Sequence, residues 1–278
     1  MTTWPELPYA EWSDTLDTVH MVVQILGKVR IALSPKEPGW AHVALYVSAR
    51  GLTTGPVPSP VGLLEVEADF IDHAVVVRTS AGETVDVALR ERPVAEFWSE
   101  FVAALRAVGI TTPLSVMPQE VPDPIPFPND TKHHSYDAAA AARFWQVLAL
   151  MEPVFEEYRA AFQGRVSRVQ FFWGSADLAI TRFSGDGHMS VGWWPGSAAF
   201  PDPAFYAYAS PRPDGIEAAS LDVPGAAWNE ELGEFILLYD DVRKSRSPAE
   251  VVRRFFDAAY DACASRAGWP PSLVDPPS

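Results

Sequence analysis

The sequence predicts an α+β protein of two similar lobes, each a mainly antiparallel sheet with flanking helices, and three observations carry that expectation. Strand-like stretches follow one another without helix-sized connections, which excludes parallel crossovers. Each half starts with a long helical pattern and closes with one opened by proline. Offsets of 4, 8 and 12 from Pro93 fall on Phe97, Phe101 and Leu105, and from Pro248 on Val252, Phe256 and Tyr260. Internal similarity of this kind implies duplication and two like lobes about a pseudo-twofold axis.

The elements follow in order. Trp4-Pro5-Glu6-Leu7-Pro8-Tyr9 reads as an extended leader. Ser13 is the expected N-cap of a helix to Leu26, with Leu16, Val19, Val23 and Leu26 on one face and Gly27 as its stop. Strands are expected at Val29–Leu33, His42–Ser48, Leu64–Phe70, Ala74–Thr79 and Thr84–Leu89, with a hairpin turn at Ser80-Ala81-Gly82-Glu83. A helix from Pro93 to Val108 ends at Gly109. Five prolines between Pro118 and Pro128 then predict an extended bridge, because proline bars its predecessor from helical geometry.

Asp137 caps a helix over Ala138–Phe162, and Gly164-Arg165-Val166 answers Gly27-Lys28-Val29. Further strands are expected at Val169–Trp173, Leu178–Phe183, Ser190–Trp194, Ala204–Ala209 and Glu234–Tyr239, before a last helix from Pro248 to Ala267. The division is a first lobe over 1–112, a bridge over 113–137 and a second lobe over 138–278. A sheet wrapped around the last helix is one arrangement of such lobes; the pattern does not choose among α+β topologies.

Composition narrows the function. The 278 residues are 48% hydrophobic and 21% charged, ordinary globular usage. With 36 Asp and Glu against 21 Lys and Arg the net charge is −15, which repels phosphate backbones, so neither nucleic acid nor an anionic membrane surface is an expected partner. There is no apolar run of about 18 residues and no basic, then apolar, leader, so the cytoplasm is the expected location. The single cysteine, Cys263, excludes an intrachain disulfide and a multi-cysteine metal site, and reads as a buried thiol.

Many strings resemble a bacterial family known as domain of unknown function 5996. They include Trp4-Pro5-x-Leu7-Pro8, Asp14-Thr15-x-Asp17-Thr18-x-His20, Arg50-Gly51-Leu52-Thr53-Thr54, Asp69-Phe70-Ile71-Asp72-His73, Glu120-Val121-Pro122-Asp123-Pro124, Phe171-Phe172-Trp173-Gly174-Ser175 and Phe205-Tyr206-Ala207-Tyr208. The resemblance spans nearly the whole chain and implies a shared fold, with no activity attached. Two departures stand out: Gln170, where the family often has His, and the short Asp186-Gly187-His188 in place of a longer insertion.

The residues suited to chemistry are dispersed. Six histidines show no metal spacing, neither Gly-x-Ser-x-Gly nor a phosphate-binding glycine loop occurs, and no metal or organic cofactor is expected. Arg50 and Arg182 each end a predicted strand and precede hydroxyl residues, the arrangement that holds an anion bidentately; ion pairs to Asp69, Asp72 or Glu234 are the competing reading. His20 and His42 suit acid–base work near neutrality, and Tyr206 suits hydrogen-bond donation. Lys28, Trp173, His188 and Trp194 complete the candidate cleft. The expectation is an enzyme acting on a small polar or anionic molecule in an inter-lobe cleft; the alternative is a non-catalytic ligand-binding or interaction module. Histidines beside an arginine in a pocket favour the first, and histidines buried against backbone favour the second.

Overall fold

The computed structural model describes residues 3–274. In chain order it contains α1 (Ser13–Leu33), β1 (Tyr46–Val47), β2 (Gly51–Thr53), β3 (Val57–Ser59), β4 (Gly62–Asp69), β5 (Ala74–Thr79), β6 (Thr84–Ala88) and α2 (Val94–Ala107). Then come α3 (Ala138–Ala160), β7 (Arg165–Val166), β8 (Gln170–Phe172), β9 (Asp177–Ser184), β10 (Gly187–Trp194), β11 (Ala204–Ser210), β12 (Ala227–Asn229), β13 (Glu234–Leu238), α4 (Tyr239–Arg243) and α5 (Pro248–Arg266). The residues form two compact units. The N-terminal unit is Ala10–Ala149 with Gln170–Ala176; the C-terminal unit is made of the described residues 3–9, 150–169 and 177–274.

Each unit is built on an antiparallel sheet. In the N-terminal unit the order is β1-β2-β4-β5-β6, with β3 also on β4. In the C-terminal unit the order runs β12-β13-β11-β10-β9-β7. The same plan lies inside both: β2-β4-β5-β6 leads into α2, and β9-β10-β11-β13 leads through α4 into α5. The protein is α+β, with the duplicated order the sequence predicts. The alternation of buried residues sets the register. Leu64, Val66 and Ala68 are fully buried and pair with Thr79, Val77 and Val75, so a slip of one residue would expose the whole row.

The largest correction concerns α1. Its expected end at Gly27 and the strand at Val29–Leu33 do not exist; the helix continues to Leu33 and ends where the Ser34 amide meets the Arg30 carbonyl. Gly27 is present for close approach: a Cβ there would lie 2.2 Å from the Trp173 indole. Gly27-Lys28-Val29 is therefore helical while Arg165–Val166 is a strand, so that pair of strings is not an equivalence between the halves. Ser13 is the first helical residue, and Trp12 holds the cap position without a side-chain bond. Tyr239 opens α4 instead of closing a strand. The expected cap at Asp137 does form, its Oδ1 accepting the Ala139 and Ala140 amides at 2.8 and 3.1 Å.

The proline-rich stretch is tied to the N-terminal unit. Phe127 is fully buried and stacks on Trp98 at 5.4 Å, while its amide donates to the Val116 carbonyl. In the C-terminal unit the leader is pinned likewise. Trp4 stacks on Tyr239 at 6.0 Å, and the Tyr239 hydroxyl donates to the Pro5 carbonyl. Among the described residues no helix is long and apolar enough to cross a membrane.

Candidate functional site

Helical geometry explains the first cluster. Residues four apart on α1 share a face, so His20, Gln24 and Lys28 form one polar stripe. The Gln24 side chain, wholly buried, clasps the backbone of Gln119: Nε2 donates to its carbonyl at 2.6 Å and Oε1 accepts its amide at 3.0 Å. That pair of hydrogen bonds fixes the orientation of the Gln24 amide, so its 3.3 Å contact with His20 Nε2 sets two donors side by side. His20 Nε2 lies 2.8 and 3.0 Å from the carbonyls of Trp173 and Gly174, which only accept, so this nitrogen carries the proton. Burial lowers the His20 pKa, against the pull of the two carbonyls.

Lys28 is 1% exposed. Its ammonium donates to Gln119 Oε1 at 2.9 Å and sits 4.7 Å from the centre of the Trp173 ring. Burial brings its pKa down to about 8, with the Glu120 carboxylate opposing the shift. Three expected cleft residues, His20, Lys28 and Trp173, are thus brought together, but each is engaged in holding the proline-rich strap and the Trp173 segment onto α1.

The other histidine and the two arginines lie elsewhere. His42 is buried, stacks against Trp40 at 5.7 Å, and accepts the Glu37 amide at Nδ1. Both histidines expected to act as acid or base therefore have backbone partners. Arg50 occupies the turn between β1 and β2, where Asp69 and Asp72 hold it. Arg182 is in the interior of β9, opposite Met189, so the two arginines do not end equivalent strands. Arg182 is 1% exposed, its guanidinium 3.4 Å from the Tyr158 ring centre, 4.8 Å from Tyr260 and 5.0 Å from Phe162, with Nη2 donating to the Tyr158 carbonyl. Ring faces and one carbonyl meet the charge where a bound anion was expected. Among the described residues no three His, Cys, Asp or Glu side chains converge as a metal site requires.

A second cluster lies on the C-terminal sheet. Alternation along β11 turns Phe205 toward Phe256 of α5, 6.1 Å away, and Tyr206 and Tyr208 toward the opposite face. Tyr206 pairs across strands with Gly192, and a Cβ on Gly192 would stand 2.3 Å from the Tyr206 ring. The ring lies flat over that glycine, so its hydroxyl crosses β10 and donates to Asp177 Oδ2 on β9. One step along the face, Ser190 pairs with Tyr208 and Thr181, and its hydroxyl meets that of Thr181 at 2.8 Å. Glu234 opens β13 on the same side, half-buried, and its burial together with the Asp177 carboxylate pushes its pKa up to about 7. Burial and Asp177 also raise Tyr206 far above the usual phenol range. Trp194 and His188 flank the row, 6.4 Å from Tyr206 and 6.2 Å from Tyr208.

Sequence reasoning singled out Tyr206, Trp194 and His188, named Glu234 only as an ion-pair partner for the arginines, and missed Asp177. The alternation of Tyr206 and Tyr208 was visible; the register that sets both carboxylates beside them is a tertiary fact.

No curated protein and no solved structure matches the chain. A family does match, over residues 4–189 and again over 186–276, which is nearly the whole chain in two segments, as a duplicated fold would give. The chain belongs to the family of unknown function DUF5996.

Proposed function

We propose that the protein is an enzyme of proton transfer, acting on a small polar molecule at the sheet face that carries Asp177, Tyr206 and Glu234. The observation that supports this is the laying of Tyr206 across Gly192 onto Asp177, with a second acidic side chain on the same face. Glu234 is the group that gives or takes the proton, since a carboxyl titrating near 7 exchanges protons readily at neutral pH. Tyr206, held in place by its bond to Asp177, is the group that positions the substrate on that face. Two neighbouring carboxylates disfavour an anion, so the polar half of the expected substrate class is retained. No organic cofactor enters this reading.

Deuterium uptake tests it. The protein is incubated in D2O with a mixture of small metabolites, and labelled species are sought by mass spectrometry. Labelling that Glu234→Gln abolishes and that follows a single ionisation near neutrality is the expected result. Labelling undiminished in Glu234→Gln overturns the assignment. A non-catalytic ligand-binding module is the second reading, favoured by the backbone partners of His20 and His42. It predicts binding to the same face with no exchange.

A further inference from the structure

The helix-covered face of the C-terminal sheet holds a separate feature, a pocket of about 420 Å³ where the strands run past the end of α5. Register explains the opening. Arg182, Met189 and Ala209 form a cross-strand row facing the helices, and the next positions outward are Ser184, Gly187 and Pro211. Gly187 has no side chain to fill the space. A Cβ there would be 3.5 Å from the carbonyl oxygens of Ser184 and Ser210 and 3.7 Å from the Trp269 ring. On the other side α5 contributes Cys263 and Ala264, both buried, and then ends. The Trp269 amide closes that end onto the Ala264 carbonyl, and its ring stands edge-on to Tyr260 at 5.9 Å as an aromatic wall.

The lining sets the charge of the occupant. The floor is apolar, from Ala209, Cys263 and Ala264. Asp186, exposed, is the one acid of the lining, and α5 presents its C-terminal end, the negative pole of the helix. Of the lysines and arginines only Arg212 lines it, and it is already occupied, pairing with Glu217 at 3.0 Å and lying 4.8 Å over the Trp228 ring; Arg266 of α5, whose charge reaches Cys263, donates to the Ala262 carbonyl at 3.0 Å. An acid and a helix C-terminus favour positive charge, the Trp269 ring supplies aromatic surface, and the volume suits a small molecule. From this we infer that the pocket binds a small organic amine, its protonated nitrogen at the mouth near Asp186 and its apolar body against Trp269 and Cys263. His188 belongs both to this lining and to the end of the Tyr208 row, whereas Asp177, Tyr206 and Glu234 are not part of the lining.

Phenethylamine is the probe, titrated calorimetrically against the whole chain, with phenylacetate and phenethyl alcohol as charge controls. Saturable binding of the amine below about 10 mM is expected, with neither control competing. Asp186→Asn should weaken it about three- to fivefold, the size of effect of a partly exposed ion pair. Ala267→Trp, on an exposed lining position, should block it, with the melting curve of each variant confirming that it folds. Glu234→Gln should leave amine binding unchanged, which separates this site from the proposed reaction. No saturable binding at that concentration, equal binding of phenylacetate, or binding unaltered in both pocket variants overturns the inference; so does its loss in Glu234→Gln.

Discussion

At the scale of single residues, the same letter carries different physics depending on what meets it. Gly27 reads as a helix stop because nothing near it in sequence announces the Trp173 ring that occupies the place of its Cβ. By propensity alone Gly27→Ala would stabilise α1 by about 1 kcal/mol. The indole cannot easily retreat, since its N–H donates to the Val43 carbonyl at 2.7 Å. The overpacking costs about 1–3 kcal/mol, so Gly27→Ala should be less stable by a net of up to about 2 kcal/mol in urea unfolding. The loss should shrink in a Trp173→Ala background, and a more stable single variant would refute the packing argument. Glu234 makes a prediction in pH. Its folded pKa, about 7, lies above the ordinary 4.5, so the folded state binds the proton more tightly. That contribution is complete below pH 4.5 and is lost as pH rises toward 7. Glu234→Gln should match wild type at the acid end and melt higher at pH 8. Melting curves that stay parallel across the range would show that Glu234 titrates normally.

At the scale of elements, legibility followed length and locality. Strands β4, β5 and β6 were visible as alternating runs closed by turn residues, and α2 and α5 as proline-opened amphipathic helices. The three-residue strands β2, β3 and β12 were missed, since one contains Gly51 and another Pro58, and three residues hold too little of a period-two pattern. Helix α1 was truncated for another reason. Residues Met21 to Arg30 are buried without a break, so no exposed face marked its course beyond Gly27. The proline-rich strap was legible as extended, but the Gln24 clasp was not, because a glutamine bonding to a distant backbone leaves no local signature. Phe127→Ala should cost about 3–5 kcal/mol, as buried phenylalanines do. If the strap is held by that ring and by Gln24, limited proteolysis should cut between Val121 and Asp130 much faster in this variant. Equal cleavage of variant and wild type would place the anchor elsewhere.

At the scale of the whole molecule, two similar α+β lobes, each an antiparallel sheet with flanking helices, are what the sequence announced. The offsets from Pro93 and Pro248 are local and survive divergence. Membership of a compact unit depends on contacts made far along the chain. Residues Gln170–Ala176 belong to the N-terminal unit although they follow α3. There Phe171 bridges Leu45 through paired backbone bonds of 2.9 and 2.8 Å and meets Phe144 edge-on at 6.2 Å. Trp173 supplies the indole over Gly27 and the ring over the Lys28 ammonium. A fragment ending at residue 137 would keep every strand from β1 to β6 and lose this segment together with the first turns of α3. Lys28 would then lose the ring above its charge, and the face of α1 around Gly27 would meet water. The fragment 1–137 should therefore lack a cooperative thermal transition, and co-expression with 138–278 should restore one. A sharp unfolding transition from 1–137 alone would show that Gln170–Ala176 is dispensable to the unit it joins.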